Sequence, residues 1–183
     1  MRRIRVVPHD PAWADRFSEA AHELAVALGA LASVHHIGST AVPGLHAKPI
    51  IDLLVAAEDL AQVDARTPAL VDLGYEALGE YGLPGRRYFR RDDAAGERTH
   101  HLHVWRVGDP ALLRNLAFRD YLLAHPAVAA EYGALKLRLA ARHPQDVQAY
   151  MDGKDAFVKA VEAEALAWRG PPSARGDAMR PQR

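Results

Sequence analysis

The sequence predicts a mixed α/β protein, of the α+β kind with a mixed sheet, whose C-terminal half is helical. Three observations predict this. Segments of strand length are concentrated before residue 108, and beyond it apolar residues recur at helical spacing. Helical segments also occur among the early strands, and the helical C-terminal half is expected to cover one side of the sheet. The chain has 183 residues, enough for one real core. Residues 1–168 are read as a single domain. The last stretch, 169–183 (RGPPSARGDAMRPQR), has little to bury and is expected to be a disordered tail.

Taken in order, residues 4–7 suit a short strand ended by Pro8. Asp10 then caps a helix with Pro11 at its first position, where the missing N–H costs nothing. Trp13, Phe17, Ala20, Ala21, Leu24 and Leu28 line one face of it, and Gly29 closes it. Residues 33–37 and 49–56 read as strands on either side of a Gly-Ser turn and a Pro/Gly-rich loop. Glu58 to Leu73 reads as a helix with a break near Pro68. Tyr75–Gly79 and Arg87–Arg90 are two strands joined by the turn-forming GEYGLPG. After the turn DDAAGE, residues 99–107 form a strand with His101, His103 and Trp105 on one face. Asp109-Pro110 opens a helix carrying Leu112, Leu116 and Leu122. Pro126 opens a second, with Tyr132, Leu135 and Leu139, and a third runs from about Gln145 to Trp168.

Composition excludes several function classes. Lys+Arg and Asp+Glu balance at 23 each, so net charge offers no case for a nucleic-acid or membrane partner. Without cysteine there can be no disulfide, thiolate metal site or cysteine nucleophile. No segment approaches the roughly 20 apolar residues of a membrane span, and the N-terminus lacks a signal-peptide run, so a cytoplasmic protein is expected.

The stretch 36–55, HIGSTAVPGLHAKPIIDLLV, carries the chemistry. Asp52 stands inside an otherwise apolar strand, where an unpaired charge would cost several kcal/mol. It is either a carboxylate bonded to backbone amides or a metal ligand or general base. Gly38, Ser39 and Thr40 form either a capped turn or a phosphate-holding one. Lys48 is a surface lysine, a partner of Asp52 or a phosphate ligand. His101 and His103 point to one side with side-chain bases about 6–7 Å apart, a spacing that lets both ligate one ion. With Asp52 they make a two-histidine, one-carboxylate set suited to manganese, iron(II) or zinc better than to magnesium. His36 is a candidate third nitrogen, whereas His35 and His100 alternate away. Arg86, Arg87, Arg90 and Arg91 form a basic cluster that is either a solvated hairpin or a phosphate site. Arg119 and Lys136 are helix-surface charges, or they close an anion site from the helical side.

The block HIGSTAVPGL-x-AKPIIDLLV, followed by THHLHV, FRDYL and Y-x-x-L-K, resembles the GrpB family, also called UPF0157. The early DPAW-x-x-x-F matches too, and the resemblance runs from about residue 4 to 168. It implies a nucleotidyltransferase-like fold. In that superfamily a Gly-Ser turn holds triphosphate. Paired carboxylates on the next strand, with a third on a later strand, bind two magnesium ions. Gly38-Ser39 matches the turn and Asp52 the second carboxylate. Ile50 stands where the first would be, and the later strand offers His101 and His103. Relatives fused to dephospho-coenzyme A kinase point toward nucleotide or cofactor metabolism. Two readings follow. One is an enzyme of phosphoryl or nucleotidyl transfer that uses one divalent metal and a small nucleotide or phosphate ligand. The other is a non-catalytic nucleotide- or phosphate-binding module.

Overall fold

The computed structural model describes residues 3–29 and 32–170; the tail expected after the last helix lies, from residue 171 on, outside them. Five strands form one mixed sheet in the order β1-β2-β5-β4-β3. They are β1 (Ala32–Ile37), β2 (Ile51–Ala57), β3 (Tyr75–Ala77), β4 (Arg87–Asp92) and β5 (Arg98–Arg106). Only the central pair, β2 and β5, is parallel; β1–β2, β4–β5 and β3–β4 are antiparallel.

Helices cover both faces. On one side α1 (Ala12–Leu28), α2 (Leu60–Ala65) and α3 (Thr67–Asp72) bury Trp13, Leu24, Val63 and Leu70 against Leu53, Val55, Leu102 and Val104. On the other, α4 (Pro110–Ala124) sets Ala111, Leu112 and Leu116 on Leu54, Ala56 and Trp105. β2 is therefore enclosed above and below, which is why it reads as a continuous apolar run instead of an alternating one. Each fully buried leucine there contributes about 1.5–3 kcal/mol. The helices α5 (Pro126–Arg142) and α6 (Val147–Arg169) complete the helical half, with Tyr132 and Val161 packed on Val42 and Leu45 of the loop before β2.

Local chemistry explains the boundaries. Asp10 accepts from the Ala12 amide at 3.0 Å, Asp59 from Ala61 at 2.9 Å and Asp109 from Ala111 at 2.8 Å. Each satisfies an amide left open by a starting helix. The helical segment after β2 breaks at Arg66, with Pro68 in the first turn of the piece that follows. The expected strand at 4–7 is reduced to a single bridge, Val7 with Ala47. Lys48 also lies outside the second strand, which begins three residues later.

Candidate functional site

Gly38 has φ 71°, in the region open to glycine. A Cβ there would overlap the Asp52 carboxylate oxygen Oδ2 and meet its Cγ at 3.1 Å. The glycine therefore leaves room for the aspartate as well as bending the chain. Thr40 is buried; its hydroxyl donates to the Ile50 carbonyl at 3.2 Å and takes a hydrogen bond from His36 Nε2 at 3.0 Å. Thr40 thus ties the turn to the entrance of β2. The hydroxyl left to face a ligand is that of Ser39.

Asp52, His101 and His103 converge on one sheet face. Parallel register sets Asp52 beside His101 and Leu54 beside His103. His101 Nδ1 donates to the Asp52 carboxylate Oδ1 at 3.0 Å. One ligand atom from each of the three residues lies within 4.8 Å of the others. Donors about 2.1 Å from a shared ion are at most about 4.2 Å apart, the range of separation this set approaches. Two imidazoles and one carboxylate suit a first-row transition ion better than magnesium. Burial works to raise the Asp52 carboxyl. Its hydrogen bond to His101 leads the effects that oppose burial, with the charge of Lys48 adding to it, and the carboxyl is held below its ordinary range. Burial also lowers His103 to about 4, so the ring is neutral and available as a donor at neutral pH. Arg86 Nη1 approaches His103 Nδ1 at 3.4 Å.

Beside this set lies a cationic corner. Lys136 of α5 is only 3% exposed, and its ammonium donates to Ser39 Oγ at 2.7 Å while sitting 4.3 Å from the Tyr132 ring centroid. Among the described residues no carboxylate pairs with it. Burial and the charge of Lys154, opposed by Asp52, bring it down to about 7. Burial and Lys48 likewise lower Lys154, with Asp52 acting the other way. Lys48 stands over the Tyr150 ring at 5.4 Å. Lys154 was not singled out from sequence. Its signal is Gly153 beside it, a mid-helix glycine whose Cβ would collide with Leu139, marking the place where α6 packs tightly on α5. A groove of about 1270 Å³, lined by Arg5, Arg16, Lys48, Ile50, Arg98 and His101, opens next to the site.

Two expected ligands go elsewhere. His36 stacks on Phe17 at 4.6 Å and bonds Thr40. Antiparallel register pairs His36 with Leu53 and Ile37 with Asp52, so the His36 ring lies on the opposite sheet face from the Asp52 carboxylate. His35, not His36, shares the face of Asp52, and its Nε2 lies 3.2 Å from Ser33 Oγ. Arg119 is buried, pairs with Asp120 at 2.6 Å and donates to the His36 carbonyl at 3.0 Å. It braces β1 instead of closing an anion site. The basic cluster also divides: Arg87 pairs with Asp64, Arg90 with Glu76 and Arg91 with Glu23.

Residues 3–164 match the family model described as GrpB protein. The chain belongs to the GrpB family. The UPF0157 protein YqkA of Bacillus subtilis is 40% identical over 169 residues, covering 92% of this chain and 49% of that one. This chain thus spans about half the length of that relative. A protein named dephospho-CoA kinase, from Mycolicibacterium paratuberculosis, is 30% identical over 90% of this chain and 46% of its own length. The crystal structure of the conserved protein GrpB from Enterococcus faecalis superposes with TM-score 0.86 at 46% identity, covering 90% and 99% of the two chains. Terminal uridylyl transferase 4 from Trypanosoma brucei superposes with TM-score 0.54 at 11% identity, over 88% of this chain and 55% of that one. At that distance the likeness shows the fold alone: this GrpB-family chain has the nucleotidyltransferase fold. Among its described residues no helix is long and apolar enough to cross a membrane.

Proposed function

We infer that this chain binds the phosphates of a nucleotide at the Ser39 turn and carries out single-metal phosphoryl or nucleotidyl transfer at Asp52. The observation that carries this reading is the buried Lys136 ammonium on Ser39, beside Lys48 and Lys154 and next to a convergent carboxylate and histidine pair. The neighbouring lysine charges lower the Lys136 and Lys154 ammonium groups, and an anion bound among them would relieve that repulsion.

Each residue has a chemical task under this reading. The lysines and Ser39 orient the phosphates and offset their charge. Asp52, His101 and His103 would hold a divalent ion, which supplies Lewis-acid polarisation of a phosphoryl oxygen. Asp52, kept ionised by its neighbours, is also placed to accept a proton from an attacking hydroxyl. A single carboxylate where the fold more often carries several argues for one ion instead of two. The relative named dephospho-CoA kinase makes coenzyme A a rational ligand to test beside nucleoside triphosphates.

The second reading, a binding module without chemistry, keeps the lysine corner and discards the ion. Calorimetry against ATP, CTP and coenzyme A, with and without manganese, separates the two. Metal-dependent binding with release of pyrophosphate or phosphate supports the enzyme, and metal-independent binding without turnover supports the module. Bound metal that stays the same in Asp52→Ala and His103→Ala would remove the proposed centre.

A further inference from the structure

We propose that Tyr81, stacked on Tyr88 beside the metal-ligand histidines, is a platform on which a nucleobase stacks. The inference rests on the phosphate-site reading for its geometry and can fail separately from it.

Tyr81 is an exposed aromatic held in an unusual backbone. Its φ of 45° makes it the one non-glycine residue with positive φ among the described residues, a conformation that non-glycine residues rarely adopt without support. The support is visible. Arg86 donates from Nη2 to the Tyr81 carbonyl at 2.8 Å and from Nε to the Glu80 carbonyl at 3.2 Å. Glu80 in turn accepts from the Gly85 amide at 2.7 Å. The loop is thus tied down around a side chain that remains 61% exposed.

The ring has a direction as well as exposure. It lies against Tyr88 with centroids 5.1 Å apart and planes 22° from parallel. Tyr88 is 7% exposed, has the Arg86 guanidinium over its ring at 4.7 Å, and stands 5.2 Å from His103 and 5.8 Å from His101. With Tyr88 on one face, the other face of Tyr81 is the open one. Strand order then fixes the layout. Ser39 follows β1, Asp52 is on β2, the histidines are on β5 and Tyr88 is on β4. Phosphates at Ser39 and Lys136 therefore occupy one flank of Asp52, and the tyrosines the other. A molecule with its phosphates on the lysines and its reactive phosphorus at Asp52 extends toward Tyr81. Stacking on a tyrosine selects a planar ring and tolerates different bases. That ring can belong to the nucleotide whose phosphates the lysines hold, or to a second substrate that accepts the transferred group.

Calorimetry on the full chain with manganese tests this, using tripolyphosphate, ATP, CTP, adenosine and cytidine as probes against wild type, Tyr81→Ala and Tyr81→Phe. If the base belongs to the phosphate-bearing nucleotide, ATP or CTP binds roughly tenfold tighter than tripolyphosphate. Tyr81→Ala then abolishes that advantage and Tyr81→Phe keeps it, with tripolyphosphate unaffected by either. If the base belongs to a second substrate, ATP and tripolyphosphate bind alike. A nucleoside then binds the tripolyphosphate-saturated wild type and Tyr81→Phe but not Tyr81→Ala. Base-containing probes that bind Tyr81→Ala as they bind wild type overturn the platform, as does a wild type that gains nothing from a base. Tyr81-dependent nucleoside binding without tripolyphosphate binding overturns the phosphate-site reading alone.

Discussion

Replacing Lys136 with methionine should stabilise the protein and, under the proposed phosphate site, weaken tripolyphosphate binding. Lys136 is 3% exposed and its ammonium is brought from 10.5 to about 7. Each tenfold displacement of a protonation equilibrium is worth about 1.4 kcal/mol, so burying this charge costs the folded state roughly 5 kcal/mol below pH 7. Methionine removes that cost and forfeits the Ser39 hydrogen bond and the Tyr132 ring contact, together about 2 kcal/mol. The net gain at pH 6 is about 3 kcal/mol, or roughly 6–12 °C in Tm for a chain of this size. The gain must also depend on pH. Between about 7 and 10.5 the unfolded chain keeps a proton that the folded one has lost, so wild-type stability rises with pH across that window. By pH 9 roughly half of the penalty has gone, and the advantage of Lys136→Met should shrink to about 1 kcal/mol or less. Calorimetric or fluorescence melts at pH 6, 7.5 and 9 check this, with tripolyphosphate affinity measured in parallel. A lower Tm for the variant at pH 6, or the same gain at pH 6 and 9, would refute the reasoning.

Three further outcomes are expected. Gly38→Ala should cost about 1–3 kcal/mol, because the new Cβ takes the space of the Asp52 oxygen at a positive φ, and should weaken manganese binding too; an unchanged melt and an unchanged titration would contradict the crowding. Asp52→Asn should keep the fold, since the amide oxygen can still accept from His101, while manganese affinity falls about 10–100-fold; equal affinity in calorimetry would place the ion elsewhere. Burial holds His36, His100 and His103 at about 4, so between pH 6.5 and 4 the unfolded chain takes up protons that the folded one refuses. Tm should therefore fall as pH drops through that window, and a flat profile from 6.5 to 4.5 would show that these rings titrate freely.

Local patterns carried much of the fold into the sequence. Period-2 alternation placed His101 and His103 together on β5, and the Asp-first helix starts at 10 and 109 were legible because a capping carboxylate acts over two or three residues. What depended on pairing between distant strands was not. His36 and His35 exchanged faces because parity within a strand says nothing about which parity meets the neighbour's. Arg119 looked like a free helix charge until the contact 83 residues away, with the His36 carbonyl, was formed. Lys154 and Tyr81 gave little signal, since a lysine on a helix and a tyrosine in a turn are ordinary until packing shows what surrounds them. Asp52 was the exception: a charge in a run otherwise as apolar as β2 announces its need for partners from sequence alone.

The contacts that build the site join distant parts of the chain. Lys136 reaches Ser39 across 97 residues and His101 reaches Asp52 across 49. Each such contact requires a long loop to close before it gives anything back, so the corner is assembled late in folding and only when both halves have docked. A fragment ending before α5 would keep Asp52, both histidines and Lys48 yet lack Lys136 and Lys154, and a partly folded chain would have neither half in register. Under the proposed phosphate site, ligand affinity should consequently track the native population closely, making a phosphate probe a readout of complete folding.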